Sequence, residues 1–344
     1  MKVLRGRVEE QFQRFGVEQC RGSSDLYERL SLGIASDPEL VAFAMHALPG
    51  QPTPNLVFGA VQYLLLQGAD KDLEDVYIQA ASAAPSPDSY RLFRAFCLRR
   101  AAEIADLISC RLVQTNEVGR CACILPALDW VDSQERRSPL YVIEVGASAG
   151  LNLLWPQYFY DYGSGRVYGD PGSPVRLICS LRGPRSLGLS QVPPTAGSIG
   201  IDVNPLRPES SDDQAWLRAL IWPEHVDRAK LLDAALTMAA QDPPEVIRSN
   251  AVDVLPEVVG SAPQDSAVCV LCAFVLNQFD EAALERFYGI LRESSYGRHI
   301  SCVLLDRGDG SGTPLRVIRF REGFSEERLL AICHPHGRWL EWTG

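Results

Sequence analysis

Near Leu140 the hydrophobic period of the sequence changes, and a chain that changes period partway along cannot fold as one kind of layer. Before that point apolar residues recur at helical spacing. Ser36, Asp37, Pro38 and Glu39 form a capping-box pattern with Ser36 as N-cap, ahead of Leu40, Val41, Phe43 and Ala44. Pro54 opens a helix over residues 56–66 that closes near Gly68, and residues 89–112 place Phe93, Phe96, Ile104, Leu107 and Ile108 on one helix face. Arg91, Arg94, Arg99 and Arg100 share the opposite face, which reads as a solvated surface or a basic stripe. After the polar break at 132–138, short apolar runs at 140–145, 198–203, 245–248, 267–276 and 299–305 alternate with helical stretches at 212–241 and 281–293. That alternation predicts a mostly parallel sheet covered on both faces, with residues 315–320 and 329–342 as antiparallel strands at its edge. The expectation is an α/β protein: an all-helical N-terminal domain over residues 1–137, then a sheet domain over 138–344.

Composition narrows the function classes. Thirty-three Lys plus Arg against 43 Asp plus Glu give a net charge of −10, which argues against a nonspecific grip on nucleic acid or an anionic membrane. The ten cysteines are scattered rather than spaced as a disulfide framework, and reduced thiols in a cytoplasmic protein fit them better. Residues after Met1 carry Lys2, Arg5, Arg7, Glu9 and Glu10 with no signal-peptide run, and no apolar stretch approaches the ~20 residues of a membrane span. Cys269 and Cys272 have metal or redox spacing but lie inside an apolar strand with no second pair, so no metal site is expected there. His334 and His336 flank Pro335 and precede Gly337, which suits a tight turn better than a ligand pair.

The most informative segment runs from Leu140 through Glu144, Val145, Gly146, Ala147, Ser148, Ala149 and Gly150 to Asn152: an apolar strand, an acid, and a small-residue turn opening a helix. Small residues let a backbone approach a ligand closely, and a helix N-terminus offers N–H donors. The segment resembles motif I of class I methyltransferases, with Glu144, Gly146 and Gly150 matching and Ser148 in place of the middle glycine. The resemblance implies S-adenosylmethionine as cofactor over Glu144, Gly146, Ala147, Ser148, Gly150 and Asn152. It implies Asp202, with Asn204 beyond it, at the ribose, and Asn250 or Asp253 at the adenine amino group. Glu144 and Asp202 are 58 residues apart instead of about 20. An insertion at residues 158–194, rich in Gly and Pro and carrying Tyr158, Tyr160 and Tyr162, fills that interval as loop and short hairpin. Its tyrosines either cap a substrate or pack the hairpin.

The chain as a whole also resembles a bacterial domain family of unknown function. The resemblance is carried by Val113–Val118 (Val-Gln-Thr-Asn-Glu-Val), Glu144–Leu153, Asp202–Leu206 and the His-x-His-Gly-x-Trp at His334–Trp339. It implies a Rossmann-like, methyltransferase-type sheet with an antiparallel C-terminal edge. Around Asn116, Glu117 and Arg120, with Thr115 as the expected N-cap, the polar cluster either caps a helix or folds over the ligand. In the second case Glu117 could take a proton and Arg120 could hold an anion. Phe274, Asn277 and Gln278 end the fourth predicted strand, where ligands of open α/β sheets bind. Small-molecule substrates are therefore expected at Asn116, Arg120, Tyr160, Tyr162, Phe274 and Gln278, with Glu117 and Asn277 as catalytic candidates. Two rivals remain: a cofactor-fold binding module without catalysis, and a serine hydrolase, since residues 146–150 also read Gly-x-Ser-x-Gly with Ser148 as nucleophile.

Overall fold

The structure, a computed structural model, describes residues 2–135, 138–308, 310 and 312–344, so the boundary expected at Arg137 lies outside the described residues. The chain divides into two compact units, Met1–Thr115 with Ser211–Lys230, and Asn116–Ser210 with Leu231–Gly344. Among the described residues no strand precedes Leu140, and no helix is long and apolar enough to cross a membrane.

The first unit is helical: α1 (Lys2–Arg14), α2 (Asp25–Ala35), α3 (Pro38–Ala44), α4 (Thr53–Leu66), α5 (Lys71–Ala80), α6 (Ser89–Arg99) and α7 (Ala101–Cys110). After α8 (Cys121–Gln134), which belongs to the second unit, the chain returns for α9 (Ser211–Ala219). The centre is aromatic, with Phe12, Phe15, Tyr27, Phe58 and Phe93 buried and Tyr27 stacked on Phe58 at 4.2 Å. Three local expectations are corrected here. Asp37, not Ser36, caps α3: its carboxylate accepts from the amides of Glu39 and Leu40, while the Glu39 side chain pairs with Arg94 instead of reaching back. The single helix expected over 89–112 breaks at Arg100, whose backbone leaves the helical region. The stretch 212–241 likewise divides into α9 and α10 (Val226–Gln241), with Pro223, which lacks an amide donor, in the gap. The arginine face is a solvated ion-pair surface: Arg91 pairs with Asp88, Arg94 with Asp37, Arg99 with Asp70 and Arg100 with Glu103.

The second unit is built on β1 (Leu140–Val145), β2 (Phe159–Asp161), β3 (Val167–Gly169), β4 (Arg176–Ile178), β5 (Ser180–Arg182), β6 (Thr195–Asp202), β7 (Val246–Arg248), β8 (Ala267–Ala273), β9 (Ile300–Leu305), β10 (Thr313–Arg321), β11 (Phe324–Cys333) and β12 (Trp339–Trp342). Nine of them form one sheet in the order β5-β12-β11-β10-β9-β8-β1-β6-β7. Strands β7, β6, β1, β8 and β9 are parallel, and β10, β11 and β12 follow antiparallel. The expected α/β architecture with an antiparallel edge is therefore present. Every residue of β9 is buried, as a strand covered on both faces requires. Helices α11 (Ala251–Ser261) and α12 (Glu281–Ser294) set Val252, Leu255, Phe287 and Leu291 against Ile143, Val145, Val270 and Cys302, and α8 lies against β8, β9 and β10.

The 158–194 insertion holds the expected hairpin, β2 with β3, and β4 extends it to three strands. It also sends β5 to the far edge of the main sheet, parallel to β12. From β1 the chain winds to β6 and β7 on one side, then crosses to β8 and β9 on the other. The winding reverses at β1, and it is outside the carboxyl ends of strands at such a reversal that open α/β sheets bind ligands.

Candidate functional site at the carboxyl end of the first strand

The β1 turn repeats a left-handed backbone at alternate residues: Gly146 at φ 74°, Ser148 at 54° and Gly150 at 70°. This explains why the resembling motif has glycine at all three positions, and Ser148 bears the cost of a side chain there, about 1–2 kcal/mol. Among the described residues only two other non-glycines share that conformation, Phe274 just past β8 and Glu322 in the β10–β11 turn. Strained backbone of this kind collects at functional sites, and Ser148 and Phe274 end neighbouring strands. The glycines also permit close packing: a Cβ on Gly146 would meet Val275 at 2.5 Å, and one on Gly150 would meet Pro244 at 2.8 Å. After Gly150 the chain enters the helix expected there, a 3-10 helix over Leu151–Gln157 with Pro156 within it.

Most amides of the turn are engaged inside the protein. Gly146 and Ala147 donate to the Ile201 carbonyl, Ser148 to Asp202 Oδ2 at 2.8 Å, Gly150 to the Ala147 carbonyl, and Leu151 to Asn116 Oδ1 at 3.0 Å. Asp202 Oδ1 accepts from the Asn204 amide at 2.7 Å, and the Leu206 amide returns to the Ser148 carbonyl. Asp202 thus shapes the turn that the ligand reading asks it to serve.

Glu144 sits beneath this turn, 1% exposed. Its Oε1 accepts from Asn152 Nδ2 at 2.7 Å, and Cys121 donates to Asn152 Oδ1. Burial pushes the Glu144 carboxyl up to about 8; the Asn152 bond opposes this, the Asp202 charge adds to it and the Arg120 charge counters it. Glu144 Oε2 and Ser148 Oγ are both buried without a hydrogen-bond partner.

The segment beginning at Asn116 reaches the same place. Glu117, not Thr115, caps the short 3-10 turn Val118–Arg120, its Oε1 accepting from the Gly119 amide. Its Oε2 lies 3.0 Å from His336 Nδ1. Arg120 donates from Nε to the Pro335 carbonyl, and its guanidinium lies 4.2 Å over the Phe274 ring. His334 to Gly337 forms a hydrogen-bonded turn in which the His336 amide also donates to His334 Nδ1 at 3.0 Å. Burial, with the charges of His336 and Arg338, lowers His334 to about 4. The four segments behind the whole-chain resemblance are therefore joined by contacts: Asp202 to Ser148, Asn116 to Leu151, and Glu117 with Arg120 to the 334–337 turn.

Other candidates stand apart from this cluster. Asn250 is the exposed N-cap of α11, accepting from the Val252 amide, and Asp253 pairs with Arg286 on the surface. Asn277 and Gln278 are exposed in a 3-10 turn. Tyr160 and Tyr162 are buried, donating to the carbonyls of Trp155 and Ala122, so they pack the insertion rather than face a ligand. Sequence reasoning missed Cys121 and the contact of Glu117 with His336. The His-x-His-Gly-x-Trp pattern was visible, but not the partner it finds.

The family described as "Uncharacterized protein conserved in bacteria (DUF2332)" matches residues 9–342. Neither the curated proteins nor the solved structures yield a match.

Proposed function

We propose that this chain, which belongs to the bacterial family DUF2332, binds S-adenosylmethionine over the 146–150 turn and methylates a small molecule. The observation that carries the reading is the pair of buried, unpartnered polar atoms, Glu144 Oε2 and Ser148 Oγ, where the winding of the sheet reverses. A buried polar atom without a partner costs about 1–3 kcal/mol, a cost that a ligand's hydrogen bonds would remove. Ser148 Oγ also lacks a histidine partner, which leaves the hydrolase reading without its base.

The turn suits a ligand without phosphates. A dinucleotide needs backbone amides aimed at its pyrophosphate, and here the amides of Gly146, Ala147, Ser148, Gly150 and Leu151 are spent internally. In this reading Asp202 accepts from the ribose hydroxyls, since a carboxylate oxygen can take more than one hydrogen bond. Asn250 or Asp253 would stand at the adenine edge, the first already capping α11 and the second already paired with Arg286. When bound, the cofactor supplies an electrophilic methyl on a sulfonium with a neutral thioether as leaving group. What remains for the protein is alignment, exclusion of water and removal of the acceptor's proton.

Calorimetry tests this directly. S-adenosylmethionine and its demethylated product should bind the full chain and NAD should not. Asp202→Ala should weaken binding by about 1–3 kcal/mol and Asp202→Asn by less. No heat with either cofactor form at millimolar concentration would end the reading.

A further inference from the structure

A strand with one side unpaired is a template for another chain. In the two sheets the edge strands β3, β4, β5 and β7 are three residues each, short enough to offer little to a partner. β11 is different. It runs from Phe324 to Cys333, but β12 covers only Ala331, Ile332 and Cys333, and the amides of Thr343 and Gly344 reach the Leu330 carbonyl. The stretch 324–329 therefore pairs with β10 on one side and, among the described residues, with no strand on the other, and all six of its residues are exposed. Glu322 and Gly323 form the two-residue turn between β10 and β11, which makes Arg321 and Phe324 a hydrogen-bonded pair. By the alternation of an antiparallel ladder, Ser325, Glu327 and Leu329 then turn their N–H and C=O groups to the open side. Among the described residues only the Leu329 carbonyl meets a donor there, Thr343 Oγ1 at 3.4 Å.

We propose that this open edge pairs with the same edge of a second copy of this chain, the two strands running antiparallel about a twofold axis at Glu327. The choice of partner follows from charge. Charged residues on an edge ward off pairing when like charges would meet. In this register Glu326 of each copy stands opposite Arg328 of the other, giving two unlike pairs in the close, non-hydrogen-bonded positions of the ladder. Ser325 stands opposite Leu329 and Glu327 opposite itself, so the outward groups of all three bond one another across the axis, as a self-complementary interface requires. The one meeting of like charges is at Glu327, whose carboxylate Arg316 already holds at 2.9 Å. Glu326 makes no ion pair within its own chain among the described residues, and Arg328 lies 5.6 Å over the Trp130 ring. A second strand also covers part of Phe324 and Leu329, which are 80% and 43% exposed. Moving the axis to Glu326 would set Glu326 against itself and Arg328 against Phe324, and both ion pairs would be lost.

One strand per copy buries less than a standard interface, so the dimer should form with a dissociation constant in the micromolar range. Sedimentation equilibrium on the full chain reads this without any ligand, and so independently of the cofactor reading. Glu326→Arg and Arg328→Glu should each weaken association about tenfold or more, since each turns both unlike pairs into like ones. Mixed together, the two variants should associate again, because the first offers two arginines to the two glutamates of the second. A loss of folding in either variant would not produce that recovery. Ser325→Pro removes an outward amide and leaves the ladder to β10 intact. It should weaken association by a similar factor while the thermal midpoint stays within about a few degrees of wild type. A wild-type chain that stays monomeric up to millimolar concentration overturns the proposal. So do single variants or a Ser325→Pro chain that dimerise as well as wild type, and so does a mixture of the two charge variants that fails to recover.

Discussion

Glu144 sets the electrostatics of its turn from a position that water does not reach. With its carboxyl raised from the ordinary 4.5 to about 8 by burial, the folded protein holds a proton there that the unfolded chain has released. Between those two values the native state binds more protons, so stability must fall as pH rises through the window and level off above about 8. Glu144→Gln keeps an oxygen for Asn152 and cannot ionise. Chemical denaturation should find the variant close to wild type at pH 5 and more stable by roughly 3–5 kcal/mol at pH 8.5. A parallel pH dependence in both proteins would mean that Glu144 ionises freely in the fold. The identity of this acid, and that of Asp202, was legible from strand-end position alone. Its protonation was not, since it depends on Asn152, Asp202 and Arg120 closing over it.

At the scale of elements, the His334–Gly337 turn and the Val118–Arg120 turn are packed backbone to backbone. Gly337 stands at φ 71° against the Gly119 carbonyl. Gly337→Ala should cost about 2–4 kcal/mol, from the left-handed backbone and the overlap together. Gly22→Ala, at φ 75° in open space, should cost only the backbone part, about 1–2 kcal/mol. Equal losses in thermal or denaturant unfolding would show that the close approach contributes nothing. The strands β1, β8 and β9 could be read from the sequence because each is a mostly apolar run, broken only at Glu144 and Ser301, and buried on both faces. The placement of β5 beside β12 could not be read. Ser180, Leu181 and Arg182 pair with Trp339, Leu340 and Glu341 at a sheet edge, where one side is open and the hydrophobic pattern is correspondingly weak. The contact of His336 with Glu117 depends on that edge, and so it stayed hidden although both residues stood out. Asn250 and Asp253 went the other way, their chemistry evident and their position that of an ordinary helix start.

Across the molecule, the candidate site draws one segment from before β1, one after it, one after β6 and one between β11 and β12, all within the second unit. Arg120 meets Pro335 across 215 positions of chain. At 5–20 residues per second a ribosome needs roughly ten to forty seconds to pass from one to the other. For that interval Arg120 and Glu117, buried in the finished fold, have no turn to close over them. Synthesis intermediates stalled before residue 334 should therefore be cut by trypsin at Arg120, while the released chain should resist there; equal protection in both would refute this. A growing chain can assemble its helices and its parallel strands early, yet the turn that closes over Arg120 and Glu117 arrives only when nearly everything else has already been made.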